Sequence, residues 1–161
     1  MTTVFIDADA CPVTRDAIEI SRRHGLSVVL IANSNVSFAR YDGRAGVETV
    51  TVGTGPDSAD FAIVERLSPG DIVVSQDIGL AAMVLGRGAH ALSPRGRIFY
   101  QSTIDAELAV RHAEKKLRRA GGRHGGPSAF DDEDREHFRD RFEATIRDAR
   151  AGSSHGPQLA P

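Results

Sequence analysis

Val4-Phe5-Ile6-Asp7-Ala8-Asp9-Ala10-Cys11-Pro12 is the stretch that decides the fold. Three apolar residues make a short strand, two acids follow with one residue between them, and a proline suits the first turn of a helix. Val13, Ala17, Ile20 and His24 then lie on one side of that helix, which Gly25 ends. The next apolar run, Val28 to Ala32, is rich in β-branched residues and unbroken by polar ones, the pattern of a strand covered on both faces. Strands separated by helices imply a parallel sheet with right-handed crossovers.

The alternation continues. Residues 33–46 are polar and glycine-containing and read as a loop, Glu48 to Val52 as a third strand, and Gly53 to Pro56 as a turn. Asp57 to Leu67 is helical, with Phe61, Val64 and Leu67 directed inward. Pro69-Gly70 breaks it before a fourth strand, Asp71 to Ser75. A helix through Leu80, Val84 and Leu85 ends at Gly86 or Gly88, and Ala89 to Leu92 is a short fifth strand. Thr103 to Ala120 is an amphipathic helix with Ala106, Val110, Ala113 and Leu117 on one face. Asp131 to Arg150 is a charged helix with the stripe Phe138, Phe142, Ile146 and Ala149. Both are expected to pack on the α/β core. Residues 1–150 thus form one α/β domain, a mostly parallel sheet of about five strands flanked by helices, with two C-terminal helices. Residues 151–161, small, polar and proline-containing, are expected to be a disordered tail.

With 161 residues, 40% of them hydrophobic, the chain can bury one core. The formal net charge of -2 argues against a globally basic nucleic-acid binder and leaves a local basic face open. One cysteine excludes an internal disulfide and a cysteine zinc cage. There is no signal-peptide pattern and no stretch of membrane-spanning length, so a cytoplasmic, soluble protein is expected.

The aspartates carry the chemistry. Asp7 and Asp9 stand at the carboxyl end of the first strand, where open α/β sheets place their ligands. An extended chain would point both to one side. Asp77, in Val74-Ser75-Gln76-Asp77, emerges after the fourth strand on the same edge, and Asp60 opens the helix before that strand. Two carboxylates about 4 Å apart repel by roughly 4 kcal/mol at an effective dielectric near 20, so such a cluster needs a shared proton or a cation. Oxygen donors without histidine or thiolate favour Mg²⁺ or Mn²⁺ over zinc, and carboxylate-held metals serve phosphodiester hydrolysis. Helix capping is the competing account. Asp57 and Asp60 have N-cap and N3 spacing, with capping the better reading for Asp57, and Asp77 could cap the helix that follows it.

Other groups are less specific. Asn33, Asn35 and Ser75 lie on the predicted active edge, where Asn33 and Ser75 could bind substrate phosphate and turn chemistry accounts equally for the asparagines. Arg95 and His124 sit in loops and are candidate phosphate contacts. Arg111, Lys115, Lys116, Arg118 and Arg119 form a basic helix face, either solvated or turned to nucleic acid. Cys11 reads as a small buried residue, and Phe99 and Tyr100 as core rather than base-stacking groups.

Asp7-Ala8-Asp9-Ala10-Cys11-Pro12 resembles the opening motif of the YaiI/YqxD family of uncharacterised bacterial proteins. Gly55-Pro56-Asp57-Ser58-Ala59-Asp60, Ser75-Gln76-Asp77-Ile78-Gly79-Leu80-Ala81, Leu92-Ser93-Pro94-Arg95-Gly96 and Gly125-Gly126-Pro127 extend the match across residues 3–148. A more distant resemblance is to PIN and NYN nucleases, in which acids after strand one, at a helix start and after strand four bind metal. It implies a three-layer PIN-like fold, metal-binding and catalytic roles for Asp7, Asp60 and Asp77 with Asp9 as an extra acid, Mg²⁺ or Mn²⁺ as cofactor, and nucleic acid, RNA before DNA, as partner. Where PIN nucleases often place another acid, this chain has Ser93-Pro94-Arg95-Gly96. Two other readings start from the same text. One is a non-catalytic nucleic-acid-binding or regulatory module with an acidic pocket. The other is a haloacid-dehalogenase-type phosphatase with Asp7 as nucleophile, which would need a lysine near the phosphate, whereas the only lysines are Lys115 and Lys116 on the basic helix.

Overall fold

The computed structural model describes residues 1–9, 11–121 and 128–152. Five strands, β1 (Thr3–Asp7), β2 (Ser27–Asn33), β3 (Val47–Val52), β4 (Ile72–Val74) and β5 (His90–Leu92), form one sheet in the order β3-β2-β1-β4-β5, every pairing parallel. The helices are α1 (Thr14–Arg23), α2 (Ser58–Arg66), α3 (Ile78–Gly86), α4 (Ile104–Arg119) and α5 (Asp132–Arg150). The chain winds outward from β1 through β2 to β3, then crosses back to build β4 and β5 on the other side of β1. The crevice between the carboxyl ends of β1 and β4 is therefore the topological switch point.

Three layers follow from the two-residue period of the strands. Val4, Ile6, Val28, Leu30 and Val74 face α1 and α5, where they meet Ala17, Ile20, Phe138, Phe142 and Ile146. Phe5, Val29, Ile31 and Val73 face α2 and α3, where they meet Ile63, Leu80, Val84 and Leu85. The Phe138 and Phe142 rings stack with centroids 5.3 Å apart. Ionic contacts add to this apolar seam. Buried Asp16 on α1 takes Arg135 and Arg139 of α5, and Arg139 is pulled further from deprotonation by Asp16 and then Glu19. No helix among the described residues is long and apolar enough to cross a membrane.

Three expectations need correction. Pro12 sits in the turn ahead of the N-cap residue Val13 rather than in the first turn of α1. Phe61 is not an inward residue of α2; it is 66% exposed. The face of α2 that meets the sheet carries Asp60, Ile63 and Leu67, and a residue one step on from Asp60 is rotated by about 100° away from it. The apolar stripe of α4 is not buried either. Val110 and Leu117 are exposed and Ile104 is its sole buried residue, because α4 leans on α3 without reaching the sheet. The expected tail lies outside the described residues from residue 153 onward.

The turn after β5 clamps α5. Gly96 has φ +85°, and a Cβ there would stand 2.8 Å from the backbone of His137, whose ring bonds the Arg95 carbonyl at 2.8 Å. The left-handed conformation costs an L-residue about 1–2 kcal/mol, and the clash adds overpacking strain of about 1–3 kcal/mol. Gly96→Ala is expected to lower stability by at least about 2 kcal/mol in urea denaturation. A variant unfolding at the wild-type midpoint would show that this turn does not brace α5.

Candidate functional site

The switch-point crevice opens into a cleft of about 550 Å³ whose lining includes Asp7, Asp9, Asp57, Asp60 and Asp77. Each acid arrives there for a local reason. Asp7 ends β1 with the parity of Phe5 and so turns toward the α2/α3 layer. Asp60 is in the first turn of α2 on the face carrying Ile63. Asp77 is the N-cap of α3 and accepts the Leu80 N–H at 3.2 Å. Asp9 lies just beyond β1 and accepts the Asn33 N–H at 3.2 Å. The capping alternative holds for Asp77, which caps and lines the cleft at once. It fails for the Asp57/Asp60 pair. Asp57 occupies the N-cap position with φ 61°, and its side chain accepts no capping hydrogen bond.

Ser75 couples the two central strands. Its hydroxyl donates to Asp7 Oδ2 at 3.0 Å and accepts from the Asp77 N–H at 3.1 Å. Being 5% exposed, it is placed to orient Asp7. The other oxygen, Asp7 Oδ1, is buried and without a hydrogen-bond partner among the described residues, a costly state for a carboxylate. Burial, then the charges of Asp9 and Asp77, push the Asp7 carboxyl above its ordinary range against the pull of the Ser75 hydroxyl and the Asp9 backbone N–H. Asp60 is pushed up to about 7 by burial, then by the carboxylates of Asp77, Asp7 and Asp57. The donors are all oxygen and one is orphaned, which suits a hard divalent cation. Among the described residues no three His, Cys, Asp or Glu side chains close on one point as a preformed cage.

The remaining candidates separate. Asn33 lines the cleft, and its Oδ1 accepts the Asn35 N–H at 2.9 Å, a local turn. Arg95 is not with the aspartates. Its guanidinium bonds Asp134 at 3.1 Å and Ser128, and lies over the Phe130 ring, so it holds the start of α5 instead of a phosphate. His124 lies outside the described residues. Cys11 is half-buried, and burial raises its thiol pKa, as a packed side chain rather than a nucleophile would have it. Phe99 is buried. Of the basic helix face, Arg111 and Arg118 line the cleft, whereas Lys115, Lys116 and Arg119 are exposed and do not. Helical periodicity alone does not separate them, since Lys115 lies four residues on from Arg111 on the same face; the cleft lining does. The loop Gly53-Thr54-Gly55 also lines the cleft, a role its glycines alone did not announce.

Fold and site together define an α/β domain with a carboxylate-lined cleft at the switch point of a parallel sheet. The profile of the family described as "Uncharacterized BCR, YaiI/YqxD family" matches residues 5–148, and the chain belongs to that family. It is 44% identical over 150 residues to a UPF0178 protein of Parvibaculum lavamentivorans, covering 93% of this chain and 97% of the relative. It is 48% identical over 124 residues to one of Exiguobacterium sibiricum, covering 77% and 82%. The crystal structure of Rae1 (YacP) from Bacillus subtilis aligns with 94% of this chain and 96% of that one at 16% identity and a TM-score of 0.40, too loose a likeness to carry an argument.

The raised Asp60 pKa has a consequence for stability. Between its ordinary 3.8 and about 7, the folded protein holds a proton that the unfolded chain has released. The contribution of Asp60 to stability then falls as pH rises through that window. The melting temperature of metal-free protein is expected to drop from about pH 4 to about pH 7 and the drop to shrink in Asp60→Asn. An identical pH profile in the variant would mean Asp60 is not crowded by its neighbours.

Proposed function

We propose that the cleft binds a divalent metal, Mg²⁺ or Mn²⁺, and hydrolyses phosphodiester bonds of nucleic acid, RNA before DNA. The observation that carries this reading is the orphaned Asp7 Oδ1, a buried carboxylate oxygen without a hydrogen-bond partner among the described residues, in a cleft shared with four further aspartates. A cation relieves both the orphan and the repulsion, and no shared-proton scheme serves five carboxylates at neutral pH as well.

Asp7, Asp9, Asp60 and Asp77 would hold the metal. Bound there, it would neutralise charge on a reacting phosphate and lower the pKa of a water. Ser75 holds Asp7 in one rotamer through Oδ2 and leaves Oδ1 without a hydrogen-bond partner among the described residues. The Asn33 N–H likewise holds Asp9. Because the acids do not form a closed cage, metal would draw them inward and keep several waters, the usual state of Mg²⁺ in carboxylate sites. The phosphatase reading loses support, since Lys115 and Lys116 are outside the cleft. A non-catalytic acidic module is the outcome that the following test can return.

Single-stranded RNA incubated with Mn²⁺ is expected to be cleaved by wild-type protein. Ser75→Ala should lose about 10–100-fold, the usual effect of removing an outer partner of a metal ligand. Asp7→Asn and Asp77→Asn should lose more, with circular dichroism unchanged. Cleavage that survives both asparagine variants, or that proceeds fully in EDTA, would refute the assignment. In crystals soaked with Mn²⁺, the anomalous difference peak should fall within ligand distance of Asp7, at about 2.0–2.2 Å.

A further inference from the structure

The arginines of this protein fall into two classes. Arg95, Arg97, Arg135 and Arg139 are each paired with a carboxylate and brace one element on another. Arg111 and Arg118 have no ion-pair partner among the described residues, although both line a cleft containing five aspartates. Two cations beside that much negative charge and bonded to none of it are available to a ligand. They are seven residues apart, so they lie on one face of α4 about 10 Å apart along its axis. That spacing lets the two reach successive phosphates of one strand. Past its first turn α4 carries them away from the sheet: its main packing is on α3, and Val110 and Leu117 are exposed.

From this arrangement we infer that α4 is a phosphate-gripping arm that lays a single nucleic-acid strand along the cleft, Arg111 and Arg118 taking backbone phosphates beside the one presented to the aspartates. The inference deepens the hydrolase reading and rests on it for the position of the scissile phosphate. The strand is single because the acids are recessed; Asp60 is 8% exposed. A duplex is stiff over about 150 base pairs and keeps its phosphates on a convex surface, whereas a single strand can bend one phosphate into the recess.

The arm is tested by fluorescence anisotropy with a short fluorescein-labelled single-stranded RNA in EDTA, where metal-dependent cleavage does not run. Arg111→Ala with Arg118→Ala is expected to weaken binding at least about tenfold and to flatten the slope of log affinity against log salt by about 1.4, the release expected for two contacts to a single strand. Lys115→Ala with Lys116→Ala removes equal charge from the same helix outside the cleft and should change affinity much less. A duplex of the same sequence should bind more weakly than the single strand. Equal losses in the two double variants, tighter binding of the duplex, or no binding by wild-type protein would each overturn the arm. Cleavage is scored separately with Mn²⁺. Binding that depends on Arg111 and Arg118 without any cleavage leaves the arm standing and removes the hydrolase; cleavage indifferent to both arginines does the reverse.

Discussion

β1 and β4 lie side by side at the middle of the sheet, paired from Val4 with Ile72 to Ile6 with Val74, and this one pairing brings the acids together. Both strands run the same way, so whatever follows each emerges at the same edge. Asp7 and Ser75 are the next residues of the two strands, and the hydroxyl–carboxylate bond between them closes the pair. α2 and α3 both start at that edge and add Asp60 and Asp77. Bringing these carboxylates together is unfavourable in itself. It is tolerated because the strands are buried on both faces by two separate apolar layers, whose burial, at about 25 cal/mol per Å², does not depend on the charge at the strand ends.

The crowding leaves its mark on side chains that sequence alone would treat as alike. Asp7 and Asp60 are shifted toward the protonated form, and burial is the leading cause in each. Asp77 is stabilised by the cap it makes with Leu80, so one carboxylate serves the helix and the cleft together. Asp57 keeps the N-cap position without the capping bond and with a left-handed backbone. Aspartate is among the residues that tolerate such a conformation, and strain of this kind gathers at functional sites.

Basic residues divide by the same logic. On α5 they are committed to Asp16 and Glu19 and hold the last helix over the first, the closure that buries Phe138 and Phe142. On α4, Arg111 and Arg118 have no ion-pair partner among the described residues, and that helix packs mainly on α3 rather than on the sheet. The result is an edge of the molecule where two cations line an acidic cleft and apolar residues are left in the open.

The order of strands and helices was legible in the sequence because each element carries its own period and its own stop. Val28–Ala32 reads as a buried strand, and Phe138, Phe142 and Ile146 read as a helix face, whatever surrounds them. The acids at the ends of β1 and β4 were legible too, since strand direction alone dictates which edge they reach. Long-range partners were not. Arg95 looks the same in sequence whether it awaits a phosphate or bonds Asp134, and the apolar stripe of α4 looks like core until one knows that the helix packs mainly on α3 and leaves Val110 and Leu117 exposed. Local propensity depends on neighbours in the chain, and the sequence by itself settled that much. Which carboxylate lost its hydrogen-bond partner, and which two of five basic residues on one helix overhang it, depended on contacts between segments tens of residues apart, and those exist only once the sheet has closed.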